Sequence, residues 1–429
     1  MTPQRHAPAL PLLILGIAVI GSNSLALSPI LTDVARSLSA TPVQVAHANA
    51  AYGGATAASA LLLGPAVDRI GARRILAAGF AVMTLAMLAS AAATSWTMLA
   101  AAQGLAGLAA GIVLPATYAY ATIAASPGRE AETMGRVLAG WSISVIAGVP
   151  LSAFIAGTAG WRASYVLLGV LLAAVSAGFL RLREPSAATR TSAGGMSLLP
   201  ALGTPGIPAL LVVCFAYMTA FYGVYAYLGD HLRQVLGVSS SIAGLVVLAY
   251  GVGFGLAGFG DRMVDRVGPL RLLPMTLGTL SLVYGLMIPA ASSLVALVAL
   301  AFCWGLANHF GLNIIVLLLG RANEERRGAV LALNTAVSYA GALVGAGLFG
   351  AVYERGGFLP VAALAAACLA GALAVAVTAR VGQAPGRANA ATSARSAASK
   401  PPASPRAKRS WPSAAWTPRG TDHRARTQD

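Results

Sequence analysis

The feature that most constrains this chain is the recurrence of unbroken apolar stretches, each about twenty residues long and each closed by a short polar interval. A stretch of that length, rising 1.5 Å per residue, crosses a ~30 Å hydrocarbon core, and only a helix satisfies its own backbone there. Twelve such stretches can be counted, the first at Leu10–Thr32 and the last at Phe358–Thr378. They predict an all-α membrane protein with twelve transmembrane helices. The interval 183–208, rich in Pro, Gly, Ser and Thr, divides them six and six. The expected organisation is an N-terminal six-helix half (1–182), a cytoplasmic linker without a further helix (183–208), a C-terminal six-helix half (209–380) and a disordered basic tail (381–429).

Charge decides the partner class. With 57% apolar and 10% charged residues, the chain is too poor in charge for a soluble globule. Its net charge of +16 would suit a nucleic-acid partner if it formed a surface patch, but the basic residues sit in alternate loops and the tail. Of the 29, only Arg36, Arg162, Arg233 and Arg355 fall on the side opposite the rest. That bias predicts cytoplasmic termini, a multi-pass place in a bacterial inner membrane, the lipid bilayer as partner and no nucleic acid.

Three cysteines, Cys214, Cys303 and Cys368, lie inside spans without ligand spacing, so no metal site is expected. No nucleophile triad or paired buried carboxylates suggest an enzyme, and no phosphate-binding loop suggests a nucleotide. The expectation is no cofactor, an ion gradient as energy source with protons favoured, a small-molecule substrate and a monomer.

Between spans 2 and 3 the sequence reads Gly64-Pro-Ala-Val-Asp68-Arg69-Ile-Gly71-Ala-Arg73-Arg74. Gly64 permits close helix approach, Asp68 can accept bonds from basic groups or a helix N-terminus, Gly71 allows a positive φ, and the arginines suit a cytoplasmic leaflet. Between spans 8 and 9, Asp265-Arg266-Val-Gly268 repeats the Asp-Arg-x-Gly pattern of Asp68, 197 positions on. The loop resembles the signature of the major facilitator superfamily, whose halves are internal repeats. In span 5, Gly140 and Gly148-Val-Pro150 resemble the glycine-proline element of its drug and sugar efflux branch. That resemblance implies twelve spans in two halves, alternating access, and a hinge at Gly148 and Pro150. A helix-packing kink reads equally from the residues themselves. One departure bears on energy coupling: Ala100 stands three residues before Gln103-Gly104, where that branch carries an arginine.

Intramembrane polar groups are the first candidates for transport. Asp33 reads either as a proton acceptor at the outer mouth or as a solvated helix-end acid. His309, deep in span 10 and one turn from Asn313, reads either as a proton carrier facing the cavity or as a neutral interhelical hydrogen bonder. Asn23, Gln103, Asn313 and Asn334 are candidate cavity residues or helix glue. Tyr217, Phe221 and Tyr222 in span 7 form a candidate aromatic wall, with Tyr225 and Tyr227 as part of it or as interfacial anchors. The resemblance implies proton-coupled export of a small organic molecule. Uptake, uniport, or a membrane sensor or scaffold of the same fold remain as alternatives.

Overall fold

The computed structural model describes residues 9–63, 70–126, 129–182, 198–323 and 326–379. Among them every regular element is a helix. The N-terminal half comprises α1 (Ala9–Ser37), α2 (Pro42–Leu63), α3 (Ala72–Ala91), α4 (Trp96–Ala124), α5 and α6 (Trp161–Arg181). Here α5 runs Glu130–Ile143, passes through a π-helical stretch Ser144–Gly148 and continues as Val149–Ala159. The C-terminal half comprises α7 (Ile207–Gln234), α8, α9 (Pro269–Ala290), α10 (Leu294–Ala322), α11 (Arg327–Gly356) and α12 (Phe358–Thr378). Helix α8 runs Ser240–Ala257 and, through the single turn Gly258–Gly260, continues as Asp261–Val267. A five-residue helix, Leu198–Leu202, lies in the segment expected to hold none. It packs against α11 and α7, a contact that local composition does not encode.

Eleven of these helices are long and apolar enough to cross a bilayer. The remaining one, α2, has the length, at 22 residues, but carries Gln44, His47, Asn49 and Tyr52. It is wedged between α4 and α11, so fewer of its side chains need to match lipid.

Local chemistry sets the ends. Thr41 and Gln44 form a reciprocal capping box ahead of α2, at 2.9 and 3.1 Å. Ser95, Ser239 and Ser293 accept the N-terminal amides of Met98, Ile242 and Ala296 and so start α4, α8 and α10. At the opposite ends, Gly71 (φ 97°) and Gly268 (φ 92°) turn the chain into α3 and α9 in a region that a side chain rarely enters.

Packing repeats between halves. Helices α2–α4, α3–α6 and α1–α5 pair in the first, and α8–α10, α9–α12 and α7–α11 in the second. The halves then meet along α1–α7, α2–α11 and α5–α8. Small residues allow these crossings: a Cβ on Gly53 would lie 2.9 Å from the Tyr339 carbonyl, and one on Gly229 would collide with the Ser28 carbonyl. Contact runs from Gly350 against Val43 to Leu343 against Gly54, roughly the first half of α2. Toward its other end α2 emerges, and Leu62 is 76% exposed. The halves are thus joined toward the α1–α2 and α7–α8 turns and exposed toward the α2–α3 and α8–α9 turns.

Candidate functional site

Midway along the bundle, polar side chains from both halves are sealed from solvent. Asn23 Nδ2 of α1 donates to Gln103 Oε1 of α4 at 3.0 Å, and Gln103 Nε2 donates to Ser90 Oγ of α3 at 3.0 Å. The two amides predicted as separate candidates form one chain across three helices. Asn23 Oδ1 accepts no bond, although it is buried. Nearby, the rings of Tyr52 (α2) and Tyr339 (α11) meet edge to face across the boundary between halves, centroids 5.9 Å apart. Both of their hydroxyls are buried and make no hydrogen bond.

The aromatic group continues into the second half. Phe221 touches Tyr222, Tyr225, Tyr250 and Trp304, with centroids 5.0 to 5.9 Å away. Asn308 Nδ2 donates to Tyr250 Oη at 2.6 Å, while Asn308 Oδ1 and the Tyr225 hydroxyl are buried without partners. Buried polar atoms are normally bonded, and these five oxygens, on α1, α2, α7, α10 and α11, lack a partner, as does Thr219 Oγ1 of α7. Uncharged donors and acceptors over aromatic faces fit a neutral polar molecule with an apolar face.

Other sequence candidates have local duties. Tyr217 donates to the Asn308 carbonyl at 2.8 Å and so ties α7 to α10. Asn334 accepts from Cys214 Sγ at 3.3 Å between α11 and α7. Tyr225 and Tyr227 are buried, Tyr227 donating to the Ala346 carbonyl at 2.6 Å, which corrects the interfacial-anchor alternative for both. The reason is the length of α7, which continues to Gln234 and leaves these rings short of the helix end.

At the joined end, α1 also outlasts its expected span and brings Asp33 inside the helix. Asp33 pairs with Arg233 of α7, a residue expected in a loop. Thr32 Oγ1 donates to Asp230 Oδ1 at 2.7 Å, Tyr353 of α11 donates to Asp230 Oδ2 at 2.7 Å, and Ser28 donates to the Tyr225 carbonyl. Two consecutive turns of α1 are therefore fastened to α7.

His309 and Asn313 are placed elsewhere. His309 Nε2 and Asn313 Nδ2 both donate to Asp261 Oδ1 at 3.0 Å, at the start of the loop-side extension of α8. His309 also packs against Phe254 and Phe310. His309 thus bonds between helices, where Asp261, four residues before Asp265, offers a carboxylate that the α2–α3 loop replaces with Gly64. Gly64, Asp68 and Arg69 lie outside the described residues, as does the tail 381–429. Arg73 donates to the Phe179 carbonyl at 3.2 Å, binding the start of α3 to α6, and Arg74 lies beside it. Arg266 is exposed next to Met263 and Val267.

In α5, Gly148 ends the π-helical stretch and Pro150 stands in the first turn beyond it. Proline lacks the N–H that a regular ladder needs, and the wider stretch accommodates this. A Cβ on Gly148 would fall on Ser22 Oγ, so the irregular segment lies against α1.

Sequence reasoning missed Tyr52, Tyr250, Trp304, Asn308, Tyr339 and Asp230. The absence of a proline between Leu228 and Gly237 is the signal that could have found Asp230 and Arg233. The rings carried no local signal, since a tyrosine in a span looks the same whether it faces lipid or a partner.

The family model described as Major Facilitator Superfamily matches residues 13–320. An uncharacterized MFS-type transporter of Bacillus subtilis (strain 168), YwfA, is 29% identical over 381 residues, 85% of this chain and 90% of the relative. A probable sugar efflux transporter of Mannheimia succiniciproducens is 26% identical over 242 residues, 56% of this chain and 60% of the relative. Among solved structures, a bacterial homolog of the human lysosomal transporter Spinster, inward-facing and occupied, superposes with a TM-score of 0.71 at 15% identity. The match covers 89% of this chain and 98% of that one. The unoccupied inward-facing form of that homolog gives 0.70.

Proposed function

Because the chain belongs to the major facilitator superfamily, a family of membrane transporters and not of enzymes, we propose that it is a secondary transporter exporting a small neutral organic molecule in exchange for protons. The observation that carries this reading is the buried, uncharged set of unpartnered oxygens on Asn23, Tyr52, Tyr225, Asn308 and Tyr339, contributed by both halves. A site divided between halves changes its access when they rock, which is alternating access in physical terms. The arginine bias supports placing the exposed ends of α2 and α8 toward the cytoplasm, with an inward-facing state and the α1–α7 end as the outer gate.

A polyhydroxylated substrate such as a sugar suits this chemistry, since hydroxyls can meet amide oxygens and phenols while carbon faces stack on rings. The relative named as a probable sugar efflux transporter supports the same class and the outward direction. Uniport is favoured by one observation, Ala100 in place of the branch's arginine. The reading further takes the chain as a monomer, with 1–182 and 209–380 as moving bodies joined by the segment 183–208 and Gly148 and Pro150 as a flexing point.

The test uses inverted membrane vesicles holding the full chain, with an imposed acid lumen and a panel of neutral sugars and metabolites. Export by exchange predicts alkalinisation of the lumen on adding a substrate. Flux without proton movement would replace exchange with uniport, and no flux for any compound would favour a sensor or scaffold.

A further inference from the structure

Helix α8 continues beyond its apolar span. Through the turn Gly258–Gly260 it runs on as Asp261–Val267, a segment that rises about 10 Å. One side of this extension is occupied: Val264 is buried, a Cβ on Gly260 would lie 2.9 Å from the Phe310 ring, and Asp261 accepts from His309 and Asn313 of α10. The other side is open. Arg262 and Arg266, four residues apart and so on one face, are exposed, and among the described residues neither makes an ion pair. Met263 and Val267 are exposed beside them, and Phe259 is 87% exposed. Together these side chains line an open cleft of about 440 Å³, whose described lining holds no carboxylate.

We propose that this cleft is a docking site for the headgroup of an anionic phospholipid, its phosphate held between Arg262 and Arg266 and its acyl chains lying over Phe259 and Met263. Side chains four apart on a helix stand about 5–6 Å from one another at Cβ, a spacing at which two guanidiniums can fork onto one phosphodiester. Phe259 precedes the two arginines by about one and two turns, which suits a ring at the depth where acyl chains begin and guanidiniums at the depth of the phosphates. A zwitterionic lipid brings an ammonium as well, and the cleft offers no acid to receive it. The inference goes beyond the transport reading and needs only that the α8–α9 turn meets a leaflet surface, which the arginine bias makes the cytoplasmic one.

The arginine pair is not a by-product of the repeated loop. Counting back 197 positions, Arg266 matches Arg69, but Arg262 matches Pro65. The second half therefore carries a cation that the Asp-Arg-x-Gly pattern does not demand. Because Asp261 ties the extension to α10, a headgroup seated here braces that contact, and binding should register as thermal stabilisation.

The experiment titrates the full chain, purified in a neutral detergent, with dioleoyl phosphatidylglycerol or dioleoyl phosphatidylcholine. Native mass spectrometry reads the tightest bound lipid, and the thermal midpoint is followed in parallel. An arginine beside an anionic surface contributes about fivefold in affinity, so the wild type should bind phosphatidylglycerol about fivefold or more tighter than phosphatidylcholine, with the preference shrinking in high salt. Arg262→Gln with Arg266→Gln should abolish the preference, while the double Arg→Lys variant, which keeps the charge, should retain part of it. Arg271→Gln removes an exposed arginine of α9 outside the cleft and should bind as wild type does. Should the double Gln variant fail to fold, Arg262→Gln alone should still lower the preference. Equal binding of the two lipids, an unchanged preference in the Gln variants, or an equal loss in Arg271→Gln would overturn the proposal. Stabilisation by inorganic phosphate as large as by phosphatidylglycerol would overturn it too, by showing a site for the free anion. Flux and alkalinisation in vesicles are read separately, so each of these outcomes leaves the transport reading standing.

Discussion

Asn23 and Gln103, eighty residues apart, are joined side chain to side chain at 3.0 Å in the buried middle of the first half, and Gln103 passes the connection on to Ser90. Only one end of Asn23 is used. Its carbonyl oxygen is left over beside the tyrosines of the boundary between halves, so a structural network and a candidate binding surface share one residue.

Gln103→Leu should separate these duties. It strands Asn23 Nδ2 in a dry site, while Ser90 keeps its bond to the Ala86 carbonyl, a loss of about 1–3 kcal/mol for a buried unsatisfied group. A lower midpoint in a thermal-shift measurement of detergent-solubilised protein is expected, together with reduced flux. Gln103→Glu, keeping the acceptor for Asn23, should retain more of the stability.

Tyr52→Phe and Tyr339→Phe remove hydroxyls that have no partner in this arrangement. Stability should stay within about 0.5 kcal/mol of wild type or rise slightly, while substrate affinity falls. Ligand-induced thermal stabilisation across a sugar panel measures both. Equal affinity in the double variant would remove these rings from the binding surface.

Charge exchange tests the gate. Arg233 and Asp33 are 11% and 25% exposed at their side chains, so their pairing lies between a surface and a buried bridge. Arg233→Ala is expected to weaken closure by about 1 kcal/mol, roughly fivefold in the open-to-closed ratio. The double swap Asp33→Arg with Arg233→Asp should recover part of it, as read by accessibility of an engineered cysteine at the gate.

Gly229→Val places a branched side chain on the Ser28 carbonyl. Overpacking of this kind costs about 1–3 kcal/mol, and the strain is relieved when α1 and α7 part. The variant should favour the arrangement open at that end and slow transport, without losing expression. Gly285→Ala, at a position with open space around a Cβ, serves as the control and should be neutral.

His309→Gln and Asp261→Ala both disrupt the bond between α10 and the extension of α8, and Asp261→Ala also removes the acceptor of Asn313 Nδ2. With Asn313 still bonded to Asp261, His309→Gln should lower stability by about 1 kcal/mol and leave substrate affinity unchanged. A selective loss of affinity in His309→Gln would return this histidine to the binding site.

The helices, their division into halves and the positive-φ glycine at Gly71 were determined by the sequence itself. Bilayer thickness imposes a length on apolar runs, and a tight reversal imposes a residue type, so both leave local marks. What only the tertiary structure decided is which polar groups meet: His309 with Asp261 instead of the centre, Asp33 with Arg233, Tyr52 with Tyr339. Helix ends shifted too, because α1 and α7 continue past their apolar cores where each supplies the other's polar partners. Such pairings depend on the rotation and register of helices far apart in the chain. Hydropathy, being additive along a single segment, carries no information about either.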